Sequence, residues 1–255
     1  GASGERPEHT LAAYKLAIEQ GADFIEPDLV LTKDGVLVVR HENEISGTTN
    51  VADHPEFAAR KATKIIDGQT LTGWFTEDFT LAELKTLRAR ERLPQLRTAN
   101  TAYDGKYEVA TFKEVLALVA AETKACGRVI GVYPETKHPS YFASIGLPHE
   151  APLLAALRTQ GWTKRTSPVF IQSFEVGNLK ALRKKTQVRL IQLMDGEGGP
   201  ADAPAATYLK MLTPVGLKAI AAYPDGIGPN KALIIPQLAD GALGRPTSLV
   251  ANAHK

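Results

Sequence analysis

A single cysteine, Cys126, is all the thiol in 255 residues, so no internal disulfide can form and no cysteine-based zinc site exists. Charge of one sign is equally scarce. Thirty Lys and Arg against 28 Asp and Glu leave a formal +2, without the concentrated basic face that nucleic-acid binding uses. The basic stretches 87–92 and Arg183-Lys184-Lys185 are interrupted by apolar or acidic neighbours or are short, and read as solvated helix faces. No apolar run approaches the roughly 18 residues of a membrane span. No Gly-x-Gly-x-x-Gly follows a strand-like run, which removes a dinucleotide-binding fold. What remains, with 44% hydrophobic and 23% charged residues, is a chain able to bury one large core.

Apolar runs bounded by turn residues alternate with helix-like stretches, the pattern of an α/β fold with a mainly parallel sheet. Strands are predicted at Phe24 to Leu31, Val36 to Arg40, Val129 to Tyr133, Val169 to Ser173, Val188 to Met194 and near Gly226 to Gly228. Between them, Thr10 to Gln20 reads as a helix, Thr80–Glu83 and Thr111–Glu114 read as capping boxes, and Thr213-Pro214 opens another helix. This order fits a (β/α)8 TIM-type barrel better than a doubly wound sheet. The chain opens on a loop expected to follow an earlier strand and stops inside a helix-like run from Ser248, so the barrel is expected to be truncated at both ends. Residues 1–255 are read as one catalytic barrel. Residues 42–107, with Trp74 and Phe75 but little strand pattern, are read as a segment inserted after the hairpin and lying over the barrel mouth.

Chemistry concentrates at strand ends. Glu26 and Asp28 stand two apart in a strand and so share a face, where paired anions are costly unless a hard cation lies between them. Thr32-Lys33-Asp34-Gly35 carries a hairpin signature. Centring that turn between Asp34 and Gly35 pairs position 28 with position 41 and returns His41 to the level of Asp28. Glu135 ends another strand, with Lys137 two residues on and on the same side. Glu135 can complete a set of oxygen ligands, and Lys137 can neutralise a phosphate oxygen. Singly, each residue also fits a solvated strand end; together they describe a metal-dependent phosphoryl site. Glu8, at a helix start, fits either a hydrogen bond to a catalytic group or a favourable contact with the helix dipole. Gln172, Ser173 and Phe174 can line the substrate side, whereas His9, His54, His138, His149 and His254 have no partners at ligand spacing.

Gly1 to Thr10, Gly21 to Asp28, Thr32 to Gly35 and Val38 to His41 match in order and spacing, and together they resemble the glycerophosphodiester phosphodiesterase signature. Tyr133 to Lys137, Gln172 to Phe174 and Tyr223 to Pro229 are similar to later strands of the family's bacterial periplasmic-type branch. The resemblance implies a barrel in which Glu26, Asp28 and Glu135 hold a divalent cation, calcium in preference to magnesium. It also implies two histidines as general acid and base: His41, and another in a His-Arg pair just upstream of Gly1. The substrates implied are glycerophosphodiesters, small molecules cleaved to glycerol 3-phosphate and an alcohol, in a periplasmic or secreted protein. The attacking oxygen is left open between water and the neighbouring glycerol hydroxyl. Two departures stand out: His41-Glu42 where the family has His-Asp, and Pro7-Glu8-His9-Thr10 where it has Pro-Glu-Asn-Thr. The rival readings are a related barrel phospholipase acting on intact lipid and a non-catalytic protein that binds glycerophosphodiesters.

Overall fold

Two X-Pro dipeptides at one level of the sheet shape its centre. In the computed structural model, which describes residues 1–255, the first strand line runs as β1 (Phe24–Ile25) and β2 (Asp28–Leu31). It is broken where Pro27 has no N–H to give to a ladder. The strand β3 (Leu37–Val39) folds back on β2. The strands β4 (Ala62–Ile66) and β5 (Gln69–Gly73) form a separate antiparallel pair. A second line, β6 (Gly131–Val132) and β7 (Glu135–Thr136), is interrupted in the same way at Pro134. The strands β8 (Phe170–Ser173), β9 (Arg189–Met194) and β10 (Gly226–Pro229) complete the set.

The main sheet has the order β10-β9-β8-β7-β2-β3, parallel except for β3, and β1 pairs with β6 as the N-terminal continuation of β2 and β7. Each successive parallel line lies beside the previous one, with no reversal of the kind that defines a doubly wound sheet. The sheet is mixed and does not close on itself, in keeping with the truncated barrel expected from the sequence. Closure requires every strand to have two strand neighbours, and β3 and β10 have one each, the outer side of β3 being met only by the 110–111 segment through Val39 N–H and the Ala110 carbonyl.

Helices cover the sheet where their apolar spacing directs them. The helix α1 (Leu11–Glu19) is capped by Thr10, whose side chain accepts from Ala13 N–H, and buries Ala13, Tyr14 and Ile18. Further along the chain, α2 (Leu81–Leu84) and α3 (Phe112–Cys126) both carry the expected capping box, from Thr80 with Glu83 and from Thr111 with Glu114. In α3 the buried residues Phe112, Val115, Leu116 and Val119 fall at i, i+3, i+4 and i+7, and Gly127 ends the helix in the left-handed conformation at φ 69°. The remaining helices are α4 (Pro139–Ser144), α5 (Glu150–Thr159), α6 (Val176–Arg183), α7 (Tyr208–Met211), α8 (Pro214–Ile220) and α9 (Leu249–Ala253).

The segment between β3 and α3 holds more strand than its sequence pattern suggested, because Asp67-Gly68 turns β4 into β5 with both residues at positive φ, 49° and 79°. Those are the dihedrals of a two-residue hairpin turn. Phe57, Trp74, Phe79, Leu84 and Leu87 from this segment belong to the same buried cluster as Leu29, Val39 and Val132 of the sheet. Trp74 satisfies its indole N–H on the Phe57 carbonyl at 2.7 Å. Each such aromatic side chain contributes about 2–3 kcal/mol by leaving water, which fixes the segment against the sheet.

Candidate metal and hydrolytic site

The ladder itself builds the acidic cluster. Asp28 on β2 lies opposite Glu135 on β7, and Glu135 lies opposite Gln172 on β8, so three side chains from three adjacent strands meet at one level. Glu26, one residue across the Pro27 break, joins them: one oxygen from each of Glu26, Asp28 and Glu135 lies within 4.8 Å of the others. Gln172 Nε2 donates to Glu26. Asp28 and Glu135 are buried while Glu26 is exposed, so the cluster opens on one side. Burial pushes both the Asp28 and the Glu135 carboxyls above the usual range, against the lowering influence of Lys137 and His41.

One feature decides between a self-neutralised ion cluster and a cation site. Lys137 Nζ sits 3.1 Å from Glu135, and His9 Nε2 sits 3.2 Å from one oxygen of Asp28. The other oxygen of Asp28 is buried with no hydrogen-bond partner. An orphaned buried carboxylate oxygen beside two further carboxylates fits a hard, oxygen-preferring divalent cation.

The hairpin register differs from the one read off the turn. Leu29 pairs with Val39, Val30 with Val38 and Leu31 with Leu37, and Arg40 N–H donates to the Asp28 carbonyl, so position 28 faces Arg40 rather than His41. The cause is a three-residue loop, in which Gly35 N–H reaches the Thr32 carbonyl and Gly35 takes φ 74°, in place of a two-residue turn. His41 still comes close to the acidic cluster, because the chain leaves the strand after Val39 and bends. Its ring centroid lies 6.4 Å from that of His9, which itself contacts Asp28. His41 Nδ1 is 2.9 Å from Glu42, and that bond raises the His41 pKa against the effect of burial.

The other expected residues are less uniform. Glu8 is buried, accepts from Arg92 Nε at 2.9 Å, and lines a cavity of about 440 Å³ together with His41, Glu42, Asp67, Arg92 and His138. Phe174 is half-buried, edge-on to Tyr208 at 6.0 Å. Ser173 is fully buried, its hydroxyl accepting from Glu175 N–H at 3.2 Å, so it does not reach the open side of the cluster.

Four residues at the site had no signal in the spacing. His9 is driven down to about 3 by burial and by Arg40, and as a neutral ring it bridges Tyr14 OH at 2.7 Å and Asp28. Its φ of 54° is the left-handed conformation that Asn and His tolerate better than most residues, a signal available in the Pro-Glu-His-Thr departure. Arg40 is wholly buried beside it. His138 bridges Glu42 at 2.7 Å and Asp67 at 2.6 Å, contacts 96 and 71 residues apart in sequence. Pairings of that span leave no periodicity to read. Asp67 could have been found, since Asp67-Gly68 carries the same turn signature as Asp34-Gly35.

Residues 1–255 match the model of the Glycerophosphoryl diester phosphodiesterase family. Among curated proteins, the chain is 38% identical over 268 residues to glycerophosphodiester phosphodiesterase GDPD6 of Arabidopsis thaliana, covering 100% of this chain and 69% of that one. It is 30% identical over 257 residues to the glycerophosphodiester phosphodiesterase of Treponema pallidum, covering 92% and 70%. The chain thus spans a little over two thirds of the length of these relatives. In fold it is similar to the crystal structure of a glycerophosphodiester phosphodiesterase from Agrobacterium tumefaciens, with a TM-score of 0.61 at 20% identity, covering 100% of this chain and 79% of that one. It is also similar to an Oleispira antarctica phosphodiesterase solved in complex with sn-glycerol-3-phosphate, with a TM-score of 0.56 at 20% identity, covering 90% and 81%.

Proposed function

The chain belongs to the glycerophosphoryl diester phosphodiesterase family, and from that premise we propose that it hydrolyses glycerophosphodiesters to glycerol 3-phosphate and an alcohol at the cluster of Glu26, Asp28 and Glu135. The observation that carries the reading is that cluster, with its unpartnered Asp28 oxygen and with His41 and Lys137 beside it. Glu26, Asp28 and Glu135 would hold a divalent cation, which when bound supplies positive charge to the phosphoryl oxygens and acidity to the attacking oxygen. Calcium suits a set of three carboxylates better than magnesium, which keeps more of its water.

The chain's own groups divide the rest of the work. Lys137 adds a buried positive charge at the edge of the cluster, where it offsets charge developing on the phosphate. His41, whose Nδ1–H is held by Glu42, keeps Nε2 free to accept or return a proton. His9 and Tyr14 fix the orientation of Asp28. The half-buried Phe174 offers an apolar wall to the glycerol or alcohol portion. An extracytoplasmic setting, as in the periplasmic-type branch, is part of the same proposal and is supported by the motif resemblance and by the long segment 42–107.

The test is release of glycerol 3-phosphate from glycerophosphocholine and glycerophosphoethanolamine by the full-length protein with Ca²⁺ or Mg²⁺. Turnover that stops with chelator and returns with one of the cations is expected. Absence of product from either substrate with both cations supplied overturns the reading.

A further inference from the structure

The hydrolytic reading uses Glu26, Asp28, Glu135, Lys137 and His41 with its bond to Glu42, and leaves the ionisable groups behind Glu42 without a role. Glu42 divides its two oxygens between two imidazoles: Oε1 lies 2.9 Å from His41 Nδ1 and Oε2 lies 2.7 Å from His138 Nε2. The other nitrogen of His138 lies 2.6 Å from Asp67 at the tip of the β4–β5 hairpin. Lys137 stands 3.8 Å from Glu42 and 3.1 Å from Glu135, which ties these groups to the acidic cluster.

We propose that Glu42 and His138 are positioning residues for His41. Glu42 holds the His41 ring with its proton on Nδ1, and His138, clamped to Asp67, holds Glu42, so that the β4–β5 hairpin is coupled to the acid/base imidazole. This rests on the reading of His41 as the proton-transferring group.

Three observations carry it. Both ring nitrogens of His138 face carboxylate oxygens, so both must donate and the ring is an imidazolium, a fixed cation rather than a proton acceptor in the reaction. Burial by itself would lower its pKa, but the bonds to Asp67 and Glu42 outweigh burial and push it up to about 9. Glu42, for its part, is held well below the usual carboxylate range by His138 and His41 despite burial, and so stays the acceptor both rings need. Finally, the two residues that meet across the cavity are both in the left-handed region, His138 at φ 48° directly before Pro139 and Asp67 at φ 49°. Left-handed dihedrals are uncommon for residues other than glycine, and here they accompany the paired side-chain bonds of both residues. The arrangement parallels the general logic of a carboxylate that fixes the tautomer of a catalytic histidine, extended by one imidazolium to a distant hairpin.

A plain electrostatic latch would hold the hairpin without touching His41, and the two possibilities give different readouts. Full-length wild type, His41→Ala, Glu42→Gln, His138→Gln and Asp67→Asn are assayed on glycerophosphocholine, and the ring-nitrogen NMR signals of His41 are recorded for each folded variant. In Glu42→Gln the amide offers one oxygen acceptor to two imidazole donors and cannot hold both rings. Its kcat is expected to fall by about 10²-fold, with KM changed by less than about twofold, and His41 is expected to lose its exclusive Nδ1–H form. His138→Gln and Asp67→Asn are expected to repeat that pattern at roughly 10-fold. An unchanged Nδ1–H form or an unchanged kcat in Glu42→Gln overturns the proposal, as does a loss confined to KM. A wild-type protein without turnover, or full turnover in His41→Ala, overturns the functional reading instead. The ring-nitrogen signals of wild type and Glu42→Gln decide the positioning role in either case.

Discussion

Replacing Asp28 by Asn keeps its shape and removes the charge of a cluster carboxylate that has a buried oxygen without a partner. Asp28→Asn is therefore expected to cut turnover by at least about 10²-fold and to weaken cation binding measured by calorimetry. Cation affinity equal to wild type would remove Asp28 from the ligand set. A different residue controls acid stability. His149 is fully buried, donates Nε2–H to the Leu29 carbonyl at 3.0 Å, and is lowered to about 4 by burial. Because its folded pKa lies below the unfolded value near 6.5, the unfolded chain gains a proton first as pH falls. Stability present above about pH 6.5 is then lost progressively down to about pH 4, up to about 3 kcal/mol. His9 acts in the same direction, so the test is a difference: urea midpoints of wild type should fall more steeply over that window than those of His149→Gln. Parallel pH profiles would show that His149 is not responsible. None of this was legible at residue level, since a histidine 120 positions from its acceptor leaves no local pattern.

Among the elements, α3 shows how much a local sequence can specify. Its capping box, its i, i+3, i+4 and i+7 buried stripe and its terminal glycine can all be read without the fold, and each is present. Thr111→Ala is expected to cost about 1 kcal/mol in urea unfolding with an unchanged m-value; no change would mean that tertiary packing alone holds the helix start. The hairpins mark the limit of the same reading. Asp34-Gly35 correctly announced a turn, but the register came out one residue away, because loop length decides between two- and three-residue closures and composition does not. Asp67-Gly68 carried the same signature and lay unread among exposed residues with weak alternation. The strands around Pro27 and Pro134 were legible as runs, while the break each proline imposes became visible only in the pairing.

For the whole molecule, the acidic cluster links cation binding to folding, because its carboxylates come from β2, β7 and the turn at Pro27 and are assembled only when the sheet forms. Ca²⁺ at about 100 times its dissociation constant should stabilise the protein by about 2.7 kcal/mol. For a chain of this length that corresponds to a rise of roughly 5–10 °C in Tm. Differential scanning fluorimetry with chelator and with Ca²⁺ checks this, and Glu26→Ala should abolish the shift; a shift that survives places the cation elsewhere. The sequence by itself determined the α/β class, the approximate strand positions of the main sheet, the helix caps and the residue types at the strand ends, because those follow from side-chain period and from backbone chemistry within a few residues. The tertiary structure decided that the sheet is open, that Asp28 faces Arg40, that Ser173 turns inward, and that His9 and His138 stand among the carboxylates. Those outcomes depend on which strands and loops meet across long stretches of chain, and the free energy of such meetings is spread over the whole core rather than written in any one window of sequence.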